Sequence, residues 1–525
     1  MPAQHTRRAV LGASIALAGT GVLAACSDGG GTPDHSGMRH GGPSGTAAPE
    51  GYVTPDGPEV AAAEKRRGSG PVREVSLTAT PSRLDLGGGH TVSTWAYGDR
   101  LPGKEVRVTA GDTLALTLAN HLPRPTSLHW HGLALRNDMD GVPGLTQRAI
   151  EPGKDFTYRF AVPDPGTYWF HPHSGVQLDR GLYAPLIVED PKEPLAYDRE
   201  WVVVLDDWLD GVDGSTPDAV LQELTKGHGG HAMEDMPSAG ADADAGSGPS
   251  RMLMGATSEL LGGDAGDVGY PYYLVNGRTP QDPASFSARP GDRIRLRIIN
   301  AGGDTAFRVA LGGHRMTVTH TDGFPVRHTT TDALLLGMGE RYDVLVTAGD
   351  GVFPLTALAE GKKVSAMALL RTGGGAAPAA AVRPKELDGQ LVTADRLVPD
   401  ASVALPAKEP DRTARIRLTG SMAAYDWAFD GKPYSADQRH PVKAGERVRL
   451  EFRNATSMWH PVHLHGHTFA LAGNASGARK DTAIVLPRQT LTVDLDADNP
   501  GLWMLHCHNL YHAEAGMMTV VGYRS

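Results

Sequence analysis

One phrase recurs three times along the chain, and it constrains the fold more than any other feature. Gly111-Asp112-Thr113-Leu114-Ala115-Leu116-Thr117-Leu118-Ala119-Asn120 matches Gly291-Asp292-Arg293-Ile294-Arg295-Leu296-Arg297-Ile298-Ile299-Asn300, and both match Gly445-Glu446-Arg447-Val448-Arg449-Leu450-Glu451-Phe452-Arg453-Asn454. Each copy is a turn, then a strand with apolar residues at every second position, then an Asn suited to ending it. Gly111 to Gly291 is 180 residues and Gly291 to Gly445 is 154, too long for a solenoid and suited to three homologous β domains. Three β-sandwiches follow, each with its own core. The 65 glycines in 525 residues agree with loop-rich β structure rather than helix bundles.

Histidines and one cysteine supply the chemistry. Leu505-His506-Cys507-His508-Asn509-Leu510-Tyr511-His512 places a thiol between two imidazoles and a third imidazole four residues on, with Met517 beyond it. A thiolate, two imidazoles and a weak thioether are the ligand set of a blue copper site. Three further clusters are His129-Trp130-His131-Gly132, His171-Pro172-His173 and His460-Pro461-Val462-His463-Leu464-His465-Gly466. An HxH pair in a strand points both rings to one face. A single such pair is ordinary packing, because a buried His is usually just a hydrogen-bonded one. Four clusters with a Cys inside one of them are not.

Pro165-Gly166-Thr167-Tyr168-Trp169-Phe170-His171-Pro172-His173 aligns without a gap on Pro500-Gly501-Leu502-Trp503-Met504-Leu505-His506-Cys507-His508, with Pro172 in the place of Cys507. The first domain therefore keeps the HxH pair without a mononuclear site, and the third has both. His314, His320 and His328 of the middle domain have no ligand spacing, which reads as a spacer.

Residues 1–26 read as export machinery: Arg7-Arg8 precede an apolar run from Ala9 to Ala25, and Leu23-Ala24-Ala25-Cys26 has the form of a lipoprotein cleavage box. Residues 27–70 read as a flexible linker of Gly, Pro, Ser and Ala. Cys26 and Cys507 are the only cysteines, so with one lipidated and one on metal no disulfide forms. A net charge of −10 excludes nucleic acid as a partner. The low-complexity stretch near 226–254 carries His228, His231, Met233, Met236, Met252 and Met254, and its composition favours a disordered loop over a Cu(I)-collecting lid. Met458 either lines the entrance to the blue site or packs the core.

With these motifs in order over essentially the whole mature chain, the sequence resembles the three-domain multicopper oxidases, the laccase and copper-efflux oxidase family, most of all its actinobacterial copper-defence lipoproteins. The resemblance implies an all-β fold of three cupredoxin-like Greek-key β-sandwich domains, over residues 71–195, 196–380 and 381–525. It implies four copper ions. Type 1 copper falls on His460, Cys507 and His512 with axial Met517, and type 2 on His129 and His463. The type 3 pair falls on His131, His171 and His508 for one ion and on His173, His465 and His506 for the other. Asp140, in Asn137-Asp138-Met139-Asp140-Gly141, matches the acid that family members use beside the trinuclear cluster. Some relatives carry an acid directly after the second type 1 His; here that place is Ala513, with Glu514 one step later.

The activity implied is four one-electron oxidations of a small donor coupled to reduction of dioxygen to water, with electrons passing from Cys507 into His506 and His508. Cu(I), Fe(II) and phenols all qualify as donors, so a metallo-oxidase in copper resistance and a phenol-preferring laccase both remain. A copper nitrite reductase lacks the full set of type 3 histidines, and a non-catalytic copper-binding lipoprotein has no need of a Cys wired between two His. The expected location is the outer face of the cell membrane, held by lipid on Cys26, or the medium if Cys26 is unmodified.

Overall fold

The computed structural model describes residues 50–226, 248–435, 437–472 and 477–525. The first 49 residues, with Arg7, Arg8 and Cys26, lie outside them, as do His228, His231, Met233 and Met236. Three pairs of sheets account for most of the described chain. In the first pair, a sheet of Val72–Gly87, His90–Tyr97, Thr113–Asn120 and Asp155–Ala161 accompanies one of Val106–Thr109, His129–His131, Gly166–His171 and Ala184–Glu189. The middle pair has six strands in each sheet, and the third pair six and five. The chain adopts the β architecture expected from the repeats, and with it the all-β, cupredoxin-like fold that the resemblance implies.

Each repeated phrase forms a strand of its pair: Thr113–Asn120, Arg293–Asn300 and Arg447–Asn454. The closing Asn does the same work three times. Asn120, Asn300 and Asn454 each donate from Nδ2 to two backbone carbonyls, at 2.6–3.1 Å, and accept from the backbone N–H two residues on. An amide is the one short side chain that can donate twice and accept at once, so it ends the strand and pins the loop that follows.

Three separate cores were expected, and the structure differs. One continuous cluster of buried apolar side chains includes Trp130, Val309 and Leu464, one from each pair of sheets. The histidine-bearing strands are buried throughout, so the sandwiches meet across a dry interior rather than a wet cleft.

Two boundaries need correction. Residues 27–70 have the composition of a linker, yet Pro58–Arg67 is a helix with Pro at its first turn, Glu59 near its N-terminus and Lys65, Arg66 and Arg67 in its last turn. That charge order suits the helix dipole. Val60 and Ala63 are buried, Glu64 accepts from the Ala161 N–H and Arg67 donates to Asn499. The composition read correctly as poor in apolar residues, but two small ones suffice when a neighbouring surface is ready to cover them. The third domain does not begin at residue 381: Leu391–Val392 pairs with Ala333–Leu336 of the middle sheets, and the third pair begins at Arg412–Thr419.

Candidate metal centre

The clusters separated in sequence meet between the first and third pairs of sheets. His129 lies opposite His171 and His131 opposite Trp169 in one antiparallel ladder. In the other, His463 lies opposite His506 and Val462 opposite Cys507. Ligand-capable atoms lie within 4.8 Å of one another in five sets. They are His131, His171 and His508; His173, His465 and His506; His129, His131 and His463; His129, Asp140 and His465; and His460, Cys507 and His512.

Hydrogen bonds on the far side of the ring set the orientation of four of the imidazoles. Nδ1 of His129, His171, His463 and His506 donates to the carbonyls of Asp140, Pro172, Asp481 and Cys507, each at 2.9 Å. That leaves a lone pair on every Nε2. The Nε2 atoms of His129, His171 and His463 are buried with no hydrogen-bond partner among the described residues. His506 Nε2 instead faces His465 Nε2 at 3.1 Å, and His465 already donates from Nδ1 to Asp140 Oδ2 at 2.9 Å. His131 donates from Nε2 to Asp481 Oδ1 at 3.0 Å and turns Nδ1 toward His508 Nε2 at 3.2 Å. Burial first, and the neighbouring rings second, hold His131, His173, His465 and His508 well below the usual imidazole range, so they are neutral. Lone pairs aimed at lone pairs in a dry site repel, and unpartnered buried nitrogens are costly. Cations among them remove both penalties, so the residues fit bound metal.

The remaining set has sulfur. Cys507 Sγ lies 3.6 Å from His460 Nδ1 and 3.7 Å from His512 Nδ1, and the two nitrogens are 3.1 Å apart. All three side chains are fully buried, and Trp427 packs its ring 4.3 Å from His512 and 5.3 Å from His460. Soft thiolate with two imidazoles suits copper. His512 is brought in by the short helix Leu510–Glu514, whose N-cap Asn509 accepts from the Tyr511 and His512 N–H groups. Met517, also buried, is tied back by its carbonyl, which accepts from the Cys507 N–H at 3.0 Å.

The middle domain is more than a spacer. Asp267 sits 2.8 Å from His512 Nε2. Burial alone depresses the imidazole, but the carboxylate overrides it and holds His512 up to about 10. Asp267, itself raised by burial, accepts from His512 Nε2, which turns Nδ1 toward the thiol. Arg341 spans to Asp481 of the third domain with two hydrogen bonds of 2.7 and 2.6 Å, and Asp481 in turn holds His131. A Cβ on Gly339 would lie 2.8 Å from His131 Cε1, so this backbone approaches the cluster as closely as a side-chain-free residue allows. Asp267, Arg341 and Asp481 carry no motif, and their partners lie 245, 140 and 350 residues away.

Asp140 touches both outer domains, with Oδ2 on His465 and Oδ1 3.2 Å from His129 Nδ1. Glu514 lines a cavity of about 20 Å³ with His171, His173, His506 and His508, and burial pushes its carboxyl up to about 7. That volume admits about one water. Met458 is core: it is buried in the cluster that holds Cys507, and its carbonyl accepts from Asn454. Met252 packs against the same cluster, while Met254 is exposed. His467 has both ring nitrogens engaged, by the His465 carbonyl and the Tyr523 hydroxyl, and serves the frame.

Cupredoxin-like sandwiches that gather ten imidazoles and one thiol in their interior define a copper-dependent oxidoreductase. Models of the multicopper oxidase family match residues 78–193, 200–375 and 407–525. The chain is 50% identical over 475 residues to the multicopper oxidase MmcO of Mycobacterium tuberculosis, covering 88% of this chain and 89% of that protein. It is 30% identical to a copper resistance protein A homolog of Pseudomonas syringae pv. tomato, over 85% of this chain and 92% of the relative. Among solved structures, the laccase of Botrytis aclada is 25% identical with a TM-score of 0.67, over 87% of this chain and 88% of that one. The chain belongs to the multicopper oxidase family.

Proposed function

We propose that this chain holds four coppers and couples four one-electron oxidations of a small donor to the reduction of dioxygen to water. In this reading His460, Cys507, His512 and Met517 hold the type 1 ion, and His129 and His463 the type 2 ion. His131, His171 and His508 hold one type 3 ion, and His173, His465 and His506 the other. One observation carries it: Cys507 belongs to the sulfur set, while its chain neighbours His506 and His508 belong to the two imidazole triads. When bound, the coppers supply four one-electron carriers, matching the four electrons that dioxygen requires.

The protein's own part is to orient, exclude water and supply protons. The Cys507 backbone joins the thiolate to His506 through its N–H side and to His508 through its carbonyl side, a covalent path of a few bonds. Asp140 keeps His465 and His129 in one tautomer each, and Glu514 at its one-water cavity is placed to pass protons or water toward His173 and His506. Asp140→Asn turns an acceptor into a mixed donor and acceptor at His465. Dioxygen uptake is expected to fall by about 10- to 100-fold while the blue absorption of the Cys507 site is unchanged. Loss of the blue band in D140N would assign Asp140 to the frame of the whole protein instead.

The donor we favour is Cu(I), with Fe(II) accepted and phenols oxidised more slowly, because curated relatives are named for copper resistance. Dioxygen uptake by the copper-loaded protein, with chelated Cu(I) and a substituted phenol in parallel, tests it. Rapid turnover of the phenol with little response to Cu(I) makes it a laccase by preference, and no uptake from either donor sinks the oxidase reading. The Arg7-Arg8 pair and the Leu23-Ala24-Ala25-Cys26 box support twin-arginine export and a lipid anchor on Cys26. Cys26→Ser is then expected to move the protein from the membrane fraction to the soluble one, and an unchanged distribution refutes the anchor.

A further inference from the structure

The outer face of the third domain's larger sheet is a ladder of paired charges that fails in its last row. Along Arg412–Thr419, Arg447–Asn454 and Thr490–Asp496, Arg415 pairs with Glu451 at 3.0 Å, Arg449 with Asp494 at 2.8 Å and Arg447 with Asp496 at 2.7 Å. In the row after Glu451, Arg417 lies in register with Arg453, and the third strand offers only Thr490. Like charges in register on neighbouring strands destabilise a sheet. Arg488, from the loop before the third strand, adds another guanidinium. It holds a left-handed backbone at φ +62°, rare for a residue with a side chain, and donates to the Ala455 carbonyl.

Arg417, Arg453 and Arg488 line one cleft of about 300 Å³ with Asn454 and Ala455. Among the described residues no carboxylate pairs with any of the three guanidiniums. Asp430 accepts from the Arg417 backbone N–H through Oδ1, at 2.8 Å, without forming an ion pair with the Arg417 guanidinium. Such a concentration of unpaired positive charge stands out on a chain of net charge −10. One lining residue connects the cleft to the sulfur site through two hydrogen bonds: Asn454 accepts from Thr456, and the Thr456 hydroxyl lies 2.9 Å from His460 Nε2.

The geometry points to a binding site for a multiply charged oxyanion, phosphate or a polycarboxylate, seated among Arg417, Arg453 and Arg488. Planar guanidiniums match two oxygens at once, so a phosphate or carboxylate group offsets the repulsion that the sheet leaves uncompensated. Two sources share this chemistry: a free anion, and the chelating acid on a metal ion delivered to the nearby sulfur site. The site itself stands apart from the oxidase reading; only the second source rests on it.

The test uses the copper-loaded full chain with inorganic phosphate and citrate against sodium chloride at equal ionic strength. Thermal midpoints are expected to rise with the oxyanions and not with chloride. In Arg453→Glu, which gives Arg417 a cross-strand partner, the midpoint without ligand is expected to rise and phosphate affinity by calorimetry to weaken about tenfold or more. Arg488→Gln, on a loop, serves as the second variant with the same expected loss. Oxyanion effects equal to chloride, or phosphate affinity in both variants equal to the parent, overturn the site. A raised KM for ferrous citrate in R453E, with a neutral phenol unaffected, assigns the chelated donor; phosphate binding without that change assigns the free anion.

Discussion

Cys507→Ser is expected to abolish the blue absorption, lower bound copper by one ion and cut dioxygen uptake by on the order of 10³-fold or more, the scale on which losing one member of a cooperative catalytic unit registers. A serine hydroxyl neither ionises near neutral pH nor offers a soft ligand, so His460 and His512 lose the third donor of their set. The other ligands stay in place for a structural reason. His506 and His508 are held by the Cys507 and Pro461 carbonyls rather than by the thiol, through His506 Nδ1 at 2.9 Å and the His508 backbone N–H. The variant should therefore still bind copper at the imidazole triads while electrons no longer reach them. Copper analysis with paramagnetic resonance on the same sample checks both halves. Uptake above a tenth of the parent's, in a variant shown to lack the blue centre, would mean that electrons enter the triads by another route.

What the sequence made legible follows from range. The strand endings at Asn120, Asn300 and Asn454 are local patterns of about ten residues, and three copies of one pattern read as three sandwiches. The histidine pairs are equally local, since period-two spacing within a strand decides which rings share a face. The long-range partners had no such signal. Asp267 and Asp481 are two of 60 acidic residues, and nothing near either marks it as the one that folds against His512 or His131. The helix Pro58–Arg67 was hidden for the opposite reason, because its few buried side chains give a weak periodicity and the surface that covers them belongs to strands far along the chain. The charge ladder of the third domain is visible in the alternation Arg447, Arg449, Glu451, Arg453, but the row that lacks a carboxylate appears only once the strand register is known.

Arg341→Met is expected to be the most damaging substitution outside the ligands, and in two separable ways. The guanidinium is fully buried and uses four of its five N–H donors: it donates to Asp481 twice, to the Thr167 carbonyl and to the Gly339 carbonyl at 3.1 Å each, and lies 3.5 Å from Asp322. Methionine approximates its volume but leaves Asp481 charged in a dry interior, a loss of about 3–5 kcal/mol when one partner of a buried pair is removed. Asp322 is less exposed to that loss, because Lys480 lies 3.0 Å from it. Thermal unfolding of the copper-free protein measures this first effect without any contribution from metal. The second reaches the cluster through Asp481, which fixes His131 by one carboxylate oxygen and His463 by its backbone carbonyl. With that carboxylate free to turn, copper held by His131 and His463 should bind about 10- to 100-fold more weakly, as expected when the group orienting a ligand is lost. Arg341→Lys separates the two effects. It restores a charge for Asp481 but not the planar fork that fixes both oxygens, so much of the stability should return while the copper defect persists. Equal copper retention by R341M, R341K and the parent in competition with a chelator would confine Arg341 to holding the domains together.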